Sequence, residues 1–483
     1  MSQSVFDLSP ALPEAFLFLS GLVLLMLGTF TERHGSRWIT GLAITSLLIA
    51  ALLVLAGGGA ARAFSGHFVV DGFARFVKVL LFVSAALTIL IAPGYLADLR
   101  VGRFEWPVLA LLSTLGMAMM VSANSLLALY MALELQSLPL YVLAAFRRDS
   151  LRSTEAGLKY FVLGALASGL LLYGCSLVYG FTGTLSFEVL ARAFGGATGA
   201  EPLPTGALVG LVFLVAGLAF KLAAVPFHMW TPDVYEGAPT PVTAFLAAAP
   251  KLAAMALVLR LLFGPFAASV SDWQQIIVLV SLGSMILGAF AAIGQTNIKR
   301  LMAYSSIGHV GYALVGVAAG SEAGIRAVLV YMAIYLAMTI GTFACILMMR
   351  RHERYVEGIA DLAGLSRHQP MMALAIALFM FSLAGIPPLA GFFAKLYVFL
   401  AAVDSGLTWL AVVGVLTSVV GAFYYVRIVK LMYFDEPAEP FDRLARPELH
   451  AVAAATALFV AGFLFLPGPV LEGAGAAARA LLP

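Results

Sequence analysis

Five ionisable side chains interrupt stretches of the sequence that are otherwise apolar. They are one glutamate and four lysines: Glu134, Lys159, Lys221, Lys251 and Lys395. Each charge costs roughly 2.5–3.5 kcal/mol at the centre of a membrane helix. Removal from water disfavours the ammonium form of lysine, whereas a nearby carboxylate favours it, so such lysines can load and release protons. These residue types predict proton transfer through a membrane, and the alternative is that each lysine is held in a permanent ion pair.

Prolines lie close to four of these five side chains. Each proline interrupts the backbone hydrogen bonding of its helix, and the freed carbonyls can share a charge with water. The pairs are Glu134 with Pro139, Lys221 with Pro226, Lys251 with Pro250, and Lys395 with Pro387 and Pro388. The two adjacent prolines predict a helix that breaks inside the membrane, which is typical of an ion path, although a simple kink is the alternative.

Three further side chains could take part in a proton relay. His228 follows Lys221 by seven residues and so lies on the same helix face. His309 lies in a later apolar run, and Tyr424, with its neighbour Tyr425, could supply hydroxyls to a chain of water. The alternatives are a histidine at the membrane interface and tyrosines that only pack.

The composition indicates an all-α integral membrane protein. Of the 483 residues, 62% are hydrophobic and 11% are charged, and the mean hydropathy is +1.00. The apolar residues form runs of about 20, which match the ~30 Å hydrocarbon thickness of a bilayer. We predict about 14 transmembrane spans, at residues 11–30, 38–57, 73–94, 106–122, 125–146, 154–181, 206–230, 241–264, 273–294, 301–319, 324–349, 371–402, 406–429 and 448–468.

The loop charges predict the orientation of these spans. Loops after odd-numbered spans carry 16 lysines and arginines, whereas the opposite side and both tails carry three, Arg62, Arg192 and Arg479. By the positive-inside rule, both termini face the periplasm. The tryptophans lie at predicted span ends and suggest an aromatic belt at the headgroups: Trp38, Trp106, Trp230, Trp273 and Trp409. Five cations near span ends are expected to extend towards water: Arg75, Lys78, Arg260, Arg326 and Arg427.

Several classes of site have no signature in the sequence. The two cysteines, Cys175 and Cys345, lie far apart, and no histidine pair has metal-ligand spacing. There is no Walker loop and no glycine-rich dinucleotide motif after a strand. The net charge of +3 does not suggest nucleic-acid binding. We therefore expect no cofactor or metal in this chain, and any redox energy must come from partner proteins.

Four segments carry a family resemblance that covers nearly the whole chain. The run from Phe220 to Pro241 reads FKLAAVPFHMWTPDVYEGAPTP, and the others are ALELQS at 132–137, LKYF at 158–161 and LAGFFAK at 389–395. Together they resemble the antiporter-like membrane subunits of respiratory complex I. The form with Pro-Asp-Val-Tyr-Glu-Gly is similar to the N-subunit members of that family.

The resemblance implies an architecture of two inverted five-helix repeats. Numbered by predicted span, the repeats are helices 4–8 and 9–13, and helices 7 and 12 are broken. The corresponding regions are residues 1–105 with three N-terminal helices, 106–264 with the first repeat, 265–433 with the second, and 434–483 with helix 14.

The resemblance also implies a role for each buried charge. Glu134 matches an acid that modulates a lysine partner, and Lys221 matches the proton-loading lysine. Lys251 matches a connecting lysine, Lys395 matches the lysine of helix 12, and Lys159 matches a further family lysine in helix 6.

The implied function is proton translocation in the bacterial inner membrane, as a subunit of a proton-pumping NADH:quinone oxidoreductase. NADH, flavin, iron–sulfur clusters and quinone would be bound by partner subunits, and the partners would include a neighbouring antiporter-like subunit. Two alternatives remain open at this point. One is a subunit of a multisubunit cation/proton antiporter, and the other is a scaffold bundle without transport.

Overall fold

The computed structural model describes residues 9–30, 36–195 and 203–482. The fold is nearly all helical, as predicted, and two short hairpins pair β1 (Ala61–Ala63) with β2 (Phe68–Val70) and β3 (Arg350–Arg351) with β4 (Arg354–Tyr355). The helices are α1 Leu12–Phe30, α2 Ser36–Ala56, α3 Gly72–Leu90, α4 Pro93–Asp98, α5 Glu105–Val121, α6 Leu126–Ala144, α7 Leu151–Thr182, α8 Phe187–Gly195, α9 Thr205–Leu222, α10 Thr231–Gly237, α11 Thr240–Ala247, α12 Ala249–Phe263, α13 Val270–Ile293, α14 Ile298–Ala318, α15 Glu322–Ile346, α16 Leu365–His368, α17 Pro370–Ala384, α18 Ala390–Asp404, α19 Thr408–Phe434, α20 Pro447–Gly462 and α21 Gly468–Leu481.

Most of the long helices can cross a membrane. Among the described residues, 11 helical stretches are long and apolar enough to do so. Three shorter apolar helices accompany them, namely α5, α17 and α20. The all-α membrane class is therefore confirmed, whereas the count of 14 spans and the inverted repeats stay predictions.

Two predicted spans contain the breaks that their prolines suggested. Helix α9 ends at Leu222, after which Ala223 adopts a left-handed conformation with φ of 61°. Helix α17 ends at Ala384, where Gly385 has φ of 88°, and α18 begins at Ala390. A positive φ is easily adopted by glycine and is strained for alanine. The break in span 12 lies where its two prolines placed it, and the break in span 7 agrees with the expectation, drawn from the family resemblance, that this helix is broken.

A third break divides predicted span 8, where the sequence analysis expected Pro250 to interrupt backbone hydrogen bonding but not to start a new helix. Helix α11 ends at Ala247 and α12 starts at Ala249, with Ala248 at φ −107° and ψ −89° between them. Pro250 lacks a backbone N–H and disfavours helical geometry at the residue before it, so α12 starts afresh here. As a result, Lys251 occupies the first turn of a new helix rather than the interior of a continuous one.

The helices form an enclosed centre and an outer ring. The α11–α12 segment, α14 and α15 are almost wholly buried, whereas α1, α2, α7, α13 and α19 each expose one apolar side. Such an apolar exterior is expected where helices face lipid. The buried charges are therefore carried by or packed against the central helices.

The C-terminal region holds a helix that the sequence analysis missed. Predicted span 14 ends as helix at Gly462, and α21 follows from Gly468 to Leu481. It packs against α3 and α15. Its glycines, alanines and the charges of Glu472 and Arg479 lower its hydropathy below that of a membrane span, which explains the omission.

The aromatic-belt prediction is wrong for most of the tryptophans. Trp38 and Trp409 are exposed, as a headgroup anchor requires. Trp106, Trp230 and Trp273 are buried against other parts of the chain. Trp230, for example, stacks on Tyr160 with ring centroids 4.5 Å apart. The sequence placed these three tryptophans correctly at span ends, but their indole rings pack inside the protein and do not face the lipid headgroups.

Candidate functional site

Lys221 lies at the end of α9 and faces one side of α6. Its Nζ donates hydrogen bonds to Ser137 Oγ at 2.7 Å and to Tyr141 OH at 3.2 Å. Glu134 lies three and seven residues before those two side chains and so shares their face of α6. Its Oε1 is buried and has no hydrogen-bond partner among the described residues. The acid and the lysine thus border the same region, but they do not form an ion pair in this conformation.

Lys251 contacts the break that follows Lys221. Its side chain is buried, and its Nζ donates to the carbonyl of Leu222 at 2.8 Å. Its Nζ also lies 6.0 Å from the ring centroid of Tyr235. Leu222 is the last residue of α9, so its carbonyl has no partner in a next helical turn. The ammonium of Lys251 therefore caps the helix that carries Lys221.

Lys395 makes the same kind of contact at the other broken helix. Its Nζ donates to the carbonyls of Leu383 and Ala384 at 3.0 and 2.9 Å, and to Ser418 Oγ at 2.7 Å. It also lies 4.8 Å from the ring centroid of Tyr312. The prolines that follow Ala384 free these two carbonyls, as the sequence analysis expected. The buried ammonium has acceptors and is without a carboxylate partner among the described residues.

His309 is the centre of a cluster of hydroxyls. Its Nδ1 is 2.6 Å from Tyr331 OH, and its Nε2 is 3.1 Å from Tyr425 OH. Tyr425 in turn bonds Ser305. Tyr424 packs on Tyr425, with ring centroids 4.2 Å apart, rather than on the histidine. The predicted relay at His309 gains a concrete set of partners, and of the two neighbouring tyrosines it is Tyr425 that reaches the histidine.

The cluster extends towards Lys251 through three further side chains, Ser306, Tyr335 and Tyr235. Ser306 bonds Tyr335 OH at 2.8 Å, one turn of α14 before His309. The hydroxyl of Tyr235 lies near Ser306 and Tyr335. Sequence reasoning missed these groups because serine and tyrosine in an apolar helix have no spacing that marks them. Two of them had a hint in the sequence, because Ser306 lies on the helix of His309 and Tyr235 lies within the motif at 220–241, whereas nothing marked Tyr335.

Lys159 is not part of this buried series, and the prediction that it lies deep is wrong. Its side chain is 41% exposed and pairs with Glu155 at 2.8 Å and with Asp233 at 2.7 Å. Arg300 pairs with the same Asp233 at 2.7 Å. The lysine therefore belongs to an ion-pair network at the helix ends. His228 is half-buried in the segment between α9 and α10 and forms no hydrogen bond with a buried lysine among the described residues.

Two cations that were expected to reach water are buried in ion pairs instead. Lys78 Nζ lies 2.5 Å from Glu14 Oε1, and both side chains are at most 5% exposed. Arg260 holds Asp71 with two hydrogen bonds, of 2.9 and 3.0 Å. Glu134 is therefore not the one acid inside the apolar region. Sequence position alone did not reveal these pairs, because each joins residues far apart in the chain.

Within the described residues, no group of three or more histidine, cysteine, aspartate or glutamate side chains could hold a metal ion. Cys175 and Cys345 are both buried and unpaired thiols. What the site offers is a line of amines, hydroxyls and one imidazole, and such groups can pass protons.

Comparison with known proteins identifies the family of this chain. The family described as "NADH:quinone oxidoreductase/Mrp antiporter, TM" matches residues 123–421. The NADH-quinone oxidoreductase subunit N of Rhodospirillum rubrum is 61% identical, over 98% of this chain and 97% of that protein. Subunit N 1 of Rhizobium meliloti is 56% identical, over 98% of each chain.

Solved structures give the same result for the fold. A chain of respiratory complex I from Thermus thermophilus with bound aureothin has a TM-score of 0.82 and 34% identity, over 96% of this chain and 99% of that chain. A chain of the Mrp complex from Dietzia sp. has a TM-score of 0.86 but 24% identity, over 99% and 98% of the two chains, and shows a shared fold alone. This chain belongs to the subunit N family of NADH-quinone oxidoreductase, and it is an antiporter-like, proton-translocating membrane subunit of complex I.

Proposed function

We propose that protons cross this subunit along Glu134, Lys221, Lys251, His309 and Lys395. The observation that carries the proposal is the bonding of the three lysines. Each ammonium is buried, and each is held by hydroxyls or backbone carbonyls instead of by a carboxylate. Neutral acceptors stabilise the charged form less than an ion pair does. These lysines can therefore change protonation state during turnover, whereas a lysine in a buried ion pair stays charged.

Glu134 would control the first lysine of the series. It shares a helix face with the two hydroxyls that bind Lys221, and one of its oxygens is free. A small shift of the carboxylate towards the ammonium would favour the charged lysine, and a shift away would favour release. The proton would then pass through Lys251 and the hydroxyls around His309 to Lys395. His228, next to the break after Lys221, is proposed as a lesser relay, and Tyr424 as a packing support for Tyr425.

We further propose the setting in which this transfer takes place. The chain acts as part of a translocase and has no redox centre of its own, so NADH, flavin, iron–sulfur clusters and quinone belong to partner subunits. Among those partners is a second antiporter-like subunit beside this one. Both termini face the periplasm, as the loop charges indicate. Residues 106–264 and 265–433 act as two halves, and in each half a buried lysine contacts carbonyls freed at a helix break.

The test is substitution of Lys221 in the assembled complex. Lys221→Met removes the titratable group, and Lys221→Arg keeps a cation that does not release its proton. We expect both variants to reduce NADH-driven proton pumping in inverted membrane vesicles by at least about tenfold, since a positioned proton-transfer group contributes 10²–10⁴-fold. Lys430→Met, at an exposed lysine, is the matched control. Full pumping in Lys221→Arg would show that a fixed charge suffices and that the lysine does not carry protons.

A further inference from the structure

We propose that Glu357 and Lys299, at the floor of a cavity on the loop-rich face, form the site where this subunit takes up protons from the cytoplasm. The inference rests on the proposed function, because it assigns that face to the cytoplasm from the loop charges. Lys299 was counted among the exposed loop cations in the sequence, and Glu357 had no assigned role. The structure brings the two together beneath the cavity.

The cavity has a volume of about 860 Å³ and is large enough to hold many waters. Its walls come from loops that follow odd-numbered spans, including residues 147–152, 296–299 and 353–360. Those loops carry the excess of lysine and arginine, so the cavity opens on the side from which protons are pumped. Polar groups line it, with Arg354 and Glu353 on the same loop as Glu357.

Glu357 connects the cavity water to a buried ammonium. Its side chain is 23% exposed, whereas that of Lys299 is 2% exposed, and Lys299 Nζ lies 2.8 Å from Glu357 Oε1. The second carboxylate oxygen accepts from Asn297 Nδ2 at 3.1 Å. The carboxylate is thus fixed in a position where one side meets water and the other meets the lysine. This is the geometry required of a group that accepts a proton from solvent.

Lys299 also contacts the segment that leads to the buried lysines. Its Nζ donates to the carbonyls of Glu236 and Ala238 at 2.9 and 2.8 Å. Those residues directly follow Tyr235, which is fully buried and whose ring lies near Lys251 Nζ. The Tyr235 hydroxyl lies near Ser306 and Tyr335, which belong to the hydroxyl cluster around His309. One short stretch of chain therefore contacts Lys299 through its backbone carbonyls and Lys251 through the ring of Tyr235.

Uptake proceeds by a simple proton transfer at this site. A proton from cavity water adds to a Glu357 oxygen, and the carboxylate becomes neutral. The neutral acid no longer holds Lys299 as an ion pair, and the ammonium keeps its two carbonyl acceptors on the Tyr235 segment. The neighbouring Arg300 is already paired with Asp233 and Glu236, so it does not replace Lys299 at Glu357.

A purely structural role is the competing explanation, because Lys299 also ties α14 to the chain between α10 and α11. The experiment separates the two with Glu357→Gln and Glu357→Ala in the assembled complex. Glutamine keeps an acceptor for Lys299 but does not carry a proton at neutral pH. Alanine leaves room in the cavity for a small soluble acid such as formate.

We expect Glu357→Gln and Glu357→Ala to assemble and to reduce NADH-driven pumping about tenfold or more. Added formate should restore most of the pumping of Glu357→Ala. Glu353→Gln, at an exposed side chain of the same cavity, should pump as the parent does. Normal pumping in Glu357→Gln overturns the inference, as does a loss in Glu357→Ala that formate leaves unchanged. Lys221→Met, measured in the same vesicles, distinguishes the two proposals. If Lys221→Met fails to pump while both Glu357 variants pump normally, the uptake site is wrong and the proposed function stands.

Discussion

The buried pair of Lys78 and Glu14 tests the hypothesis that a buried lysine paired with a carboxylate stays charged and does not carry protons. Lys78 is as buried as Lys221 and Lys251, but its Nζ lies 2.5 Å from a carboxylate. It also lies 4.7 Å from the ring centroid of Phe68. We predict that Lys78→Met destabilises the subunit without removing a step of the proton path.

The magnitude follows from the burial of both partners. With both side chains at most 5% exposed, Lys78→Met leaves Glu14 as an uncompensated buried charge, which costs about 3–5 kcal/mol of unfolding free energy. Replacement of both, in Glu14→Leu with Lys78→Met, removes both desolvation penalties and is expected to be close to neutral or even stabilising. The double variant should therefore be more stable than the single Lys78→Met variant.

The assay has two readouts on the same purified complex. Thermal inactivation in detergent reports stability, and NADH-driven pumping in reconstituted vesicles reports transport. We expect Lys78→Met to be inactivated at lower temperature, the double variant to recover, and both to pump normally per assembled complex. If the double variant is stable but does not pump, the ion-paired Lys78 itself carries protons, and the distinction between lysines that change protonation state and paired lysines that stay charged is refuted.

Three further predictions concern packing, the hydroxyl cluster and a loop. Gly391→Ala should destabilise the subunit by about 1–3 kcal/mol and reduce pumping, because the added Cβ would lie 1.9 Å from the carbonyl oxygen of Ser382. Gly462→Ala is the control, since its Cβ would meet open space, and it should be neutral in the same thermal inactivation assay. His309→Phe should lower pumping while the complex still assembles on native gels, and normal pumping would remove the histidine from the path. Hydrogen bonding from Arg350 lowers the pKa of Asp442 below its ordinary 3.8. The loop that carries Asp442 should therefore lose stability as the pH falls below that value. Limited proteolysis of this loop should depend less on pH in Asp442→Asn than in the parent protein.

The sequence predicted the class of fold and three of the central lysines because both leave strong local signals. Apolar runs of span length are unambiguous in a chain with so few charges. The double proline located the break near Lys395 for the same reason, since proline acts on its own helix. Pro250 indicated interrupted backbone hydrogen bonding near Lys251, but not that a new helix starts there, because proline is tolerated in the first turn of a helix and does not by itself show where that helix starts.

The partners of the charges could not be read from the sequence. Lys159 and Lys78 both occur in apolar runs, but one reaches an ion-pair network at the surface and the other a buried glutamate. The difference lies in Asp233 and Glu14, which are more than 60 residues away in each case. Likewise, Tyr331 becomes a partner of His309 only when α15 packs on α14. Contacts of this kind depend on tertiary packing, which periodicity does not encode.

The complete enclosure of the segment Thr240–Phe263 has a consequence for how the protein is made. This segment packs against α3, α5 and α9, which are synthesised before it, but also against α15, which leaves the ribosome later. Until α15 arrives, one side of the segment that carries Lys251 must be covered by lipid or by the translocon. Membrane integration of this broken helix should therefore be completed only after the second half has been translated. A nascent chain arrested before Glu322 should hold the segment less firmly than the finished protein does.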